Sequence, residues 1–279
     1  MSVVPEANPE SSVVIPSPLE LEAIAEQVAV IAAERVRRAW GTASSIGTKS
    51  SATDVVTQTD VDTEQFICAQ LKRATPACGI VGEESGVSGA TERIQWIVDP
   101  LDGTVNFLYA VPIFAVSIGV AVDGEFVAGT VVDAMRGEVF SASVGNGARL
   151  DGQPIRCSSA TGLDVALIAT GFSYKPRLRA AQGEIVRRLL PRSRDIRGFG
   201  SAALHLCWTA CGRVDAYFER DIKIWDWAAG AVIAAEAGAC VDLPCPENDG
   251  LVLASSPRCA DDLRELVALA TLDRDVNRG

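Results

Sequence analysis

The stretch Trp96-Ile97-Val98-Asp99-Pro100-Leu101-Asp102-Gly103-Thr104 decides how this chain is read. Its first three residues form an apolar run that reads as a buried strand. Two aspartates separated by Pro-Leu follow, and then Gly-Thr. The proline bends the chain as it leaves the sheet, so both carboxylates can turn toward one point. Gly103 lets a backbone amide approach an anion closely. A helix starting at Thr104 would aim its free amides and the positive end of its dipole at phosphate. A strand ending in this way has the outline of a metal and phosphate site.

Working outward, Asp60, Glu83, Asp99, Asp102 and Asp226 each lie at or just past the end of an expected element, where rigid scaffolds tend to carry functional groups. Hard cations such as magnesium take oxygen ligands. Two of them about 3.5–4 Å apart can clamp the attacking and leaving oxygens of a phosphoryl transfer. The acids suffice in number, and His205 is the single histidine, so no imidazole cluster competes for softer metals. Each acid also has a plainer use. Asp60 and Asp226 fit helix caps, and Glu83-Glu84 fits a solvated loop pair. Capping and ligation are compatible.

Spacing excludes two look-alikes. A haloacid-dehalogenase site needs Asp-x-Asp-Gly-Thr, which would place Leu101 at the nucleophile position. A calcium loop counted from Asp99 would need Glu at its twelfth position, which is Ala110. One histidine also argues against a Ser-His-Asp or Cys-His hydrolase. The eight cysteines form no CxxC pair and read as buried reduced thiols. A net charge of -11 disfavours nucleic acid and anionic membranes as partners, and handling an anionic substrate then calls for bound cations. No apolar run reaches membrane-spanning length, and residues 1–17 read as a disordered tail on a cytoplasmic protein rather than a leader.

Hydrophobic spacing predicts helices over 18–39 and 61–73, with a Gly/Ser/Thr-rich mobile loop over 41–53 that carries Lys49. Strands are expected at 80–81, 113–122, 126–133, 138–143 and 148–156, with Asp123-Gly124 and Asp151-Gly152 marking hairpin turns. The second half alternates: strands near 165–170, 194–198 and 214–219, helices near 177–190, 201–211, 226–237 and 257–270, and two short strands before the last helix. The pattern predicts an α+β metal-binding half over 18–155, an α/β half completing the site over 156–270, and a C-terminal tail over 271–279.

These residues resemble the inositol monophosphatase family. Trp96 through Gly119 is similar to its first signature, and Trp225-Asp226-Trp227-Ala228-Ala229-Gly230 through Glu236-Ala237-Gly238 to its second. Lys49 through Asp60, Gly82-Glu83-Glu84-Ser85 and Gly200-Ser201-Ala202-Ala203 match further blocks in the family's order, so the resemblance spans about 19–270. It implies an αβαβα layered sandwich of α+β or α/β class, shared with fructose-1,6-bisphosphatase. It also implies a homodimer that hydrolyses a small phosphorylated polyol or sugar with two or three magnesium ions, often inhibited by lithium. Carried over, Glu83, Asp99 and the Leu101 carbonyl would hold one metal. Asp99, Asp102 and Asp226 would hold a second, and Glu83 would assist a third. Gly103 and Thr104 would present amides to phosphate, and Thr104 with Asp60 would help deprotonate the attacking water. Gly200, Ser201, Ala202 and Glu219 would line the alcohol side, and Lys49 would mark the mobile loop.

Inositol-1-phosphate is the expected substrate. Fructose-1,6-bisphosphate, histidinol phosphate and 3′-phosphoadenosine-5′-phosphate are alternatives sharing the metal core, as is a regulatory protein that keeps the fold. Glu219 favours a polyol, because a carboxylate accepts hydrogen bonds from ring hydroxyls. Bisphosphates would need Lys175, Arg177 and Arg179 folded over the pocket. The chain departs from its relatives at Phe107-Leu108-Tyr109-Ala110, which lacks a basic or imidazole residue, at Ala52 and at Trp227. Each departure is expected to touch pocket shape or metal affinity.

Overall fold

Helix α1 opens on a reciprocal cap: Ser17 N and Oγ donate to Glu20 Oε2 while Glu20 N donates back to Ser17 Oγ. This pairing satisfies amides that the first turn leaves open. The computed structural model describes residues 15–41, 45–48, 55–248 and 250–276. Its elements run α1 (Pro18–Ala39), β1 (Ser45–Thr48), β2 (Val55–Thr57), α2 (Gln58–Ala74), β3 (Cys78–Gly82), β4 (Gly86–Ser88), β5 (Ile94–Asp102) and the short α3 (Thr104–Leu108). An antiparallel meander follows: β6 (Ala115–Val122), β7 (Glu125–Asp133), β8 (Glu138–Ser143), β9 (Ala148–Leu150) and β10 (Gln153–Pro154). The second half holds β11 (Leu167–Thr170), α4 (Pro176–Leu189), β12 (Asp195–Arg197), α5 (Ala202–Ala210), β13 (Ala216–Arg220), α6 (Ile224–Glu236), β14 (Cys240–Asp242), β15 (Leu251–Ser255) and α7 (Ala260–Val276).

Two sheets carry the layers. The larger has eight strands in the order β10-β9-β8-β7-β6-β5-β3-β4, and the smaller has five in the order β12-β11-β13-β15-β14. Strand alternation decides which layer each face meets. In β5, Ile94, Trp96 and Val98 join Leu21, Val28, Ile67 and Leu71 of α1 and α2, whereas Ile97 joins the α5 and α6 side. In β13, Tyr217 faces α5 and α6, while Ala216 and Phe218 face Ile185 and Leu189 of α4 and Leu263 of α7. The order is therefore α1/α2, large sheet, α5/α6, small sheet, α4/α7, the expected αβαβα sandwich. Because α5 and α6 are covered on both sides, Ala203, Leu204, Leu206, Ala229 and Ile233 are essentially inaccessible to water. That explains helices apolar all round.

Among the differences from the sequence reading, three concern the first loop and the two ends of the chain. Ser45–Thr48, expected within a loop, pairs antiparallel with β2; Lys49 and Ala52 lie outside the described residues. Ile15 packs against the α1 core cluster, so ordered structure reaches back into the expected N-terminal tail. Helix α7 continues to Val276, into the expected C-terminal tail. Both two-residue turns adopt positive φ at each position, Asp123 and Gly124 at 53° and 89°, Asp151 and Gly152 at 50° and 74°. That conformation matches strand twist in tight hairpins. All eight cysteines are unpaired; Cys78, Cys207 and Cys259 are buried as expected, but Cys245 is exposed.

Candidate active site

A regular strand would send Asp99 and Asp102 to opposite faces, since they are an odd number of residues apart. The register shows how this is avoided: Asp99 pairs with Ser117 and Asp102 with Ala115, so the ladder is interrupted across Pro100-Leu101. The extra residue is a bulge that re-aims the side chain beyond it. Leu101 N donates to Asp99 Oδ1 at 2.9 Å, fixing the carboxylate over the turn.

Asp226 arrives from α6, which lies directly on the large sheet. Gly119 and Gly129 are cross-strand partners beneath it. A Cβ on Gly129 would come within 2.6 Å of the Ala229 backbone, so only glycine permits this approach. Asp226 is the third helical residue and accepts from Lys223 N at 2.5 Å. One oxygen each from Asp99, Asp102 and Asp226 lie within 4.8 Å of one another.

Asp102 faces the start of α5. Ser201 Oγ donates to its Oδ2 at 2.5 Å and Ala203 N at 2.7 Å, with Ala202 N 3.3 Å from Oδ1. These donors favour the charged form, but burial outweighs them and raises the carboxyl to about 6. Asp99 and Asp226 are pushed well above the ordinary carboxylate range, first by burial and then by the neighbouring acids, Glu83 among them. At about 4 Å and an effective dielectric near 20, each like-charge pair costs about 4 kcal/mol. A cluster of two buried acids and a half-buried third under such repulsion must hold protons or cations. With oxygen donors alone it suits a hard divalent ion.

Glu83 follows β3, and its amide donates to Val98 O at 3.2 Å. Its loop is anchored from α2: Glu64 accepts from Glu84 N at 2.8 Å and Ser85 N at 2.7 Å. Asp60, one turn earlier on α2, is fully buried. Its Oδ2 accepts from Thr57 N at 2.9 Å and from Thr57 Oγ1. Its Oδ1 lies 2.9 Å from Thr104 Oγ1, which is also 3.1 Å from Leu101 O. The hydroxyl has one proton for two acceptors. A cation on the Leu101 carbonyl would assign that proton to Asp60.

These groups surround one cavity of about 410 Å³. Glu83, Asp99, Leu101, Asp102, Gly103, Thr104, Gly200, Ser201, Ala202, Glu219 and Asp226 all line it. Asp60 reaches it through Thr104, and Lys49 lies outside the described residues. Ser201 shows its hydroxyl to Asp102 and accepts from Leu204 N, so it orients an acid at the cavity wall. Lys175 lines the cavity but is paired with Asp221 at 2.8 Å; Arg177 and Arg179 are not among the lining residues. Trp227, expected to alter the pocket, points into the core and meets Phe126 edge-on at 5.1 Å; Trp225 lines the cavity instead.

Supporting residues that the sequence reading missed are Glu64 and Asn106. Asn106 Nδ2 lies 2.8 Å from Ile113 O and 2.6 Å from Phe199 O, tying α3 to the loop before α5. The i,i+4 spacing of Asp60 and Glu64 on α2 was the available signal for Glu64.

The model of the inositol monophosphatase family matches residues 18–273. The chain belongs to the inositol monophosphatase family. Within it, the chain is 42% identical to an inositol-1-monophosphatase SuhB of Mycobacterium tuberculosis, covering 92% of this chain and 94% of that protein. It is 41% identical to the Nus factor SuhB of Escherichia coli over 74% of this chain and 79% of that one. Its structure is similar to the extragenic suppressor protein suhB of Bartonella henselae, with a TM-score of 0.83 at 32% identity, covering 89% and 98% of the two chains. Among the described residues, no helix is long and apolar enough to cross a membrane.

Proposed function

We propose that this chain is a magnesium-dependent phosphate monoester hydrolase whose preferred substrate is inositol-1-phosphate. The observation that carries the reading is one cavity joining an oxygen-only acid cluster to the Thr104–Asp60 pair. The 42% identity to a protein named inositol-1-monophosphatase supports the substrate class.

Glu83, Asp99, the Leu101 carbonyl, Asp102 and Asp226 would hold the ions. Bound magnesium would neutralise phosphate oxygens and the leaving alkoxide, and acidify the attacking water. The chain does the rest. Gly103, at φ 101°, and Thr104 open α3, where first-turn amides lack helical acceptors and suit phosphate. Thr104 Oγ1 accepts a proton from the attacking water as its own proton passes to Asp60 Oδ1. Asp60 is already fixed by Thr57, so the acceptor does not need to reorganise. Glu219, Gly200, Ser201 and Ala202 form the alcohol side, with the Glu219 carboxyl group hydrogen-bonding ring hydroxyls. The pairing of Lys175 with Asp221 lowers its value as a second-phosphate site and favours monophosphates.

Phosphate release from inositol-1-phosphate, fructose-1,6-bisphosphate and 3′-phosphoadenosine-5′-phosphate, with magnesium and with or without lithium, tests this reading. Turnover fastest on the first and lost with chelator is expected; no release from any of them would sink it. Light scattering tests the homodimer. A regulatory role beside turnover is favoured by the likeness to proteins named Nus factor. Full rescue of a gene-deletion phenotype by a turnover-dead Asp99→Asn chain would support it.

A further inference from the structure

Glu219, at the alcohol side of the cavity, is held from two directions by residues that carry no assigned role. On its own strand face, two residues earlier, Tyr217 is fully buried and its hydroxyl donates to Glu219 Oε2 at 2.9 Å. On the neighbouring parallel strand, the register Thr170↔Phe218 sets Gly171 beside Glu219. A Cβ on Gly171 would fall 2.2 Å from both Glu219 oxygens, so the carboxylate occupies the space a side chain would fill. The Tyr217 ring is itself fixed. It packs against the His205 ring with centroids 5.1 Å apart, and His205 Nε2 accepts from Phe199 N at 3.1 Å.

We propose that Tyr217 and Gly171 are positioning residues that clamp Glu219 so that Oε1 faces the substrate's hydroxyl groups. This clamp then sets the preference for a polyol phosphate over a phosphate ester without ring hydroxyls. The proposal rests on the reading of Glu219 as an alcohol-side residue. Oε2 is occupied by a donor that burial keeps protonated, since the Tyr217 phenol is pushed well above its usual range. Among the described residues Oε1 is left for the substrate, and an alcohol with hydroxyls on adjacent carbons can pair with it whether it accepts as a carboxylate or donates as the protonated acid that burial favours. An ester without hydroxyls leaves it unpaired in a buried place, which is the situation that rejects such analogues.

The test compares kcat and KM for inositol-1-phosphate and p-nitrophenyl phosphate in the full chain with magnesium. Tyr217→Phe removes the hydroxyl and keeps the ring on His205. The ratio of kcat/KM values, polyol over aryl ester, is expected to fall about tenfold, the cost of losing roughly one buried hydrogen bond. The loss should lie mainly in KM for the polyol. Gly171→Ala, which displaces the carboxylate directly, should lower the same ratio further. An unchanged ratio in both variants, or equal losses on both substrates at unchanged thermal stability, overturns the clamp. Glu219→Ala separates the two levels. If it leaves the ratio intact, the alcohol-side reading of Glu219 fails. If it collapses the ratio while Tyr217→Phe and Gly171→Ala do not, only the clamp fails.

Discussion

Asp60 and Asp226 occupy the same position, third in the first turn, of α2 and α6, and each gives Oδ2 to its own helix cap. Asp60 turns Oδ1 to Thr104, while Asp226 contributes an oxygen to the acid cluster. A capping acid is held by a backbone amide before any ligand arrives, so its free oxygen is pre-aimed. This arrangement places the proposed catalytic and metal-binding groups on rigid helix starts rather than on loops.

Thr104 is the first consequence. Thr104→Val removes the hydroxyl at nearly constant volume, and kcat is expected to fall by about 10²–10⁴, the range of a lost proton-transfer partner. Thr104→Ser keeps the hydroxyl next to Asp60 and should retain most turnover. Steady-state phosphate release with a circular-dichroism melt checks both. Equal activity in Thr104→Val and the parent would remove Thr104 from the mechanism.

Asp99→Asn is expected to abolish magnesium-dependent turnover and to stabilise the chelated protein. The substitution relieves the cost of holding a buried acid either charged against Glu83, Asp102 and Asp226 or protonated at neutral pH. A relief of about 1–2 kcal/mol would raise Tm by roughly 2–8 °C in a chain of this size. Added magnesium should stabilise the variant less than the parent, because the affinity difference appears directly in Tm. A parent-like magnesium response with full turnover would show that Asp99 is no ligand.

How much of this was legible in the sequence differs from residue to residue. Asp99, Asp102 and Gly103 were legible because the chemistry needs side chains and backbone amides close together, and a bulged strand end supplies them from adjacent positions. Asp226 was named in the sequence, but its place beside Asp99 and Asp102 needed the fold, since it depends on α6 resting on Gly119 and Gly129, a contact between distant segments. Glu64 looked like any helix acid until the loop it holds was placed. Ser45–Thr48 resisted because three- or four-residue strands carry almost no periodicity, and pairing with β2 alone identifies it. Trp227 misled because bulk beside a site residue says nothing of direction; on a helix its neighbour Trp225 faces elsewhere.

Beside the raised acids Asp99, Asp102 and Asp226, Glu219 adds its own part to the pH dependence of the chelated protein. Burial, with the Asp102 charge second among the raising causes, lifts its carboxyl from the ordinary 4.5 to about 8, against the Tyr217 hydrogen bond that lowers it. Between these values the folded chain keeps a proton that the unfolded chain has released. Stability is therefore present at low pH and lost as pH rises, by up to about 1.4 kcal/mol per pH unit for one group. Urea unfolding in chelator should show ΔG falling from about pH 5 to 8. Glu219→Gln, which carries no charge, should make that slope shallower, most clearly toward pH 8, while Asp99, Asp102 and Asp226, also raised by burial, keep the remainder. A slope unchanged by the substitution would locate the effect elsewhere.

Glu64→Gln gives the sharpest test of how the loop carrying Glu83, a proposed metal ligand, is built. Glu64 is almost fully buried and accepts two amides, Glu84 N at Oε2 and Ser85 N at Oε1. The amide of glutamine has the same shape but only one acceptor, so one backbone donor must then face an NH₂ group. The mismatch falls on the residues directly after Glu83 and should loosen that side chain's aim. Loss of a group supporting a ligand typically costs about 10–100-fold in metal affinity. The magnesium concentration for half-maximal activity should rise by that factor, while kcat at saturating magnesium recovers most of the parent value. If kcat falls with no change in magnesium dependence, Glu64 supports the fold of α2 and the loop rather than the metal site, because a purely structural acid would not move that midpoint.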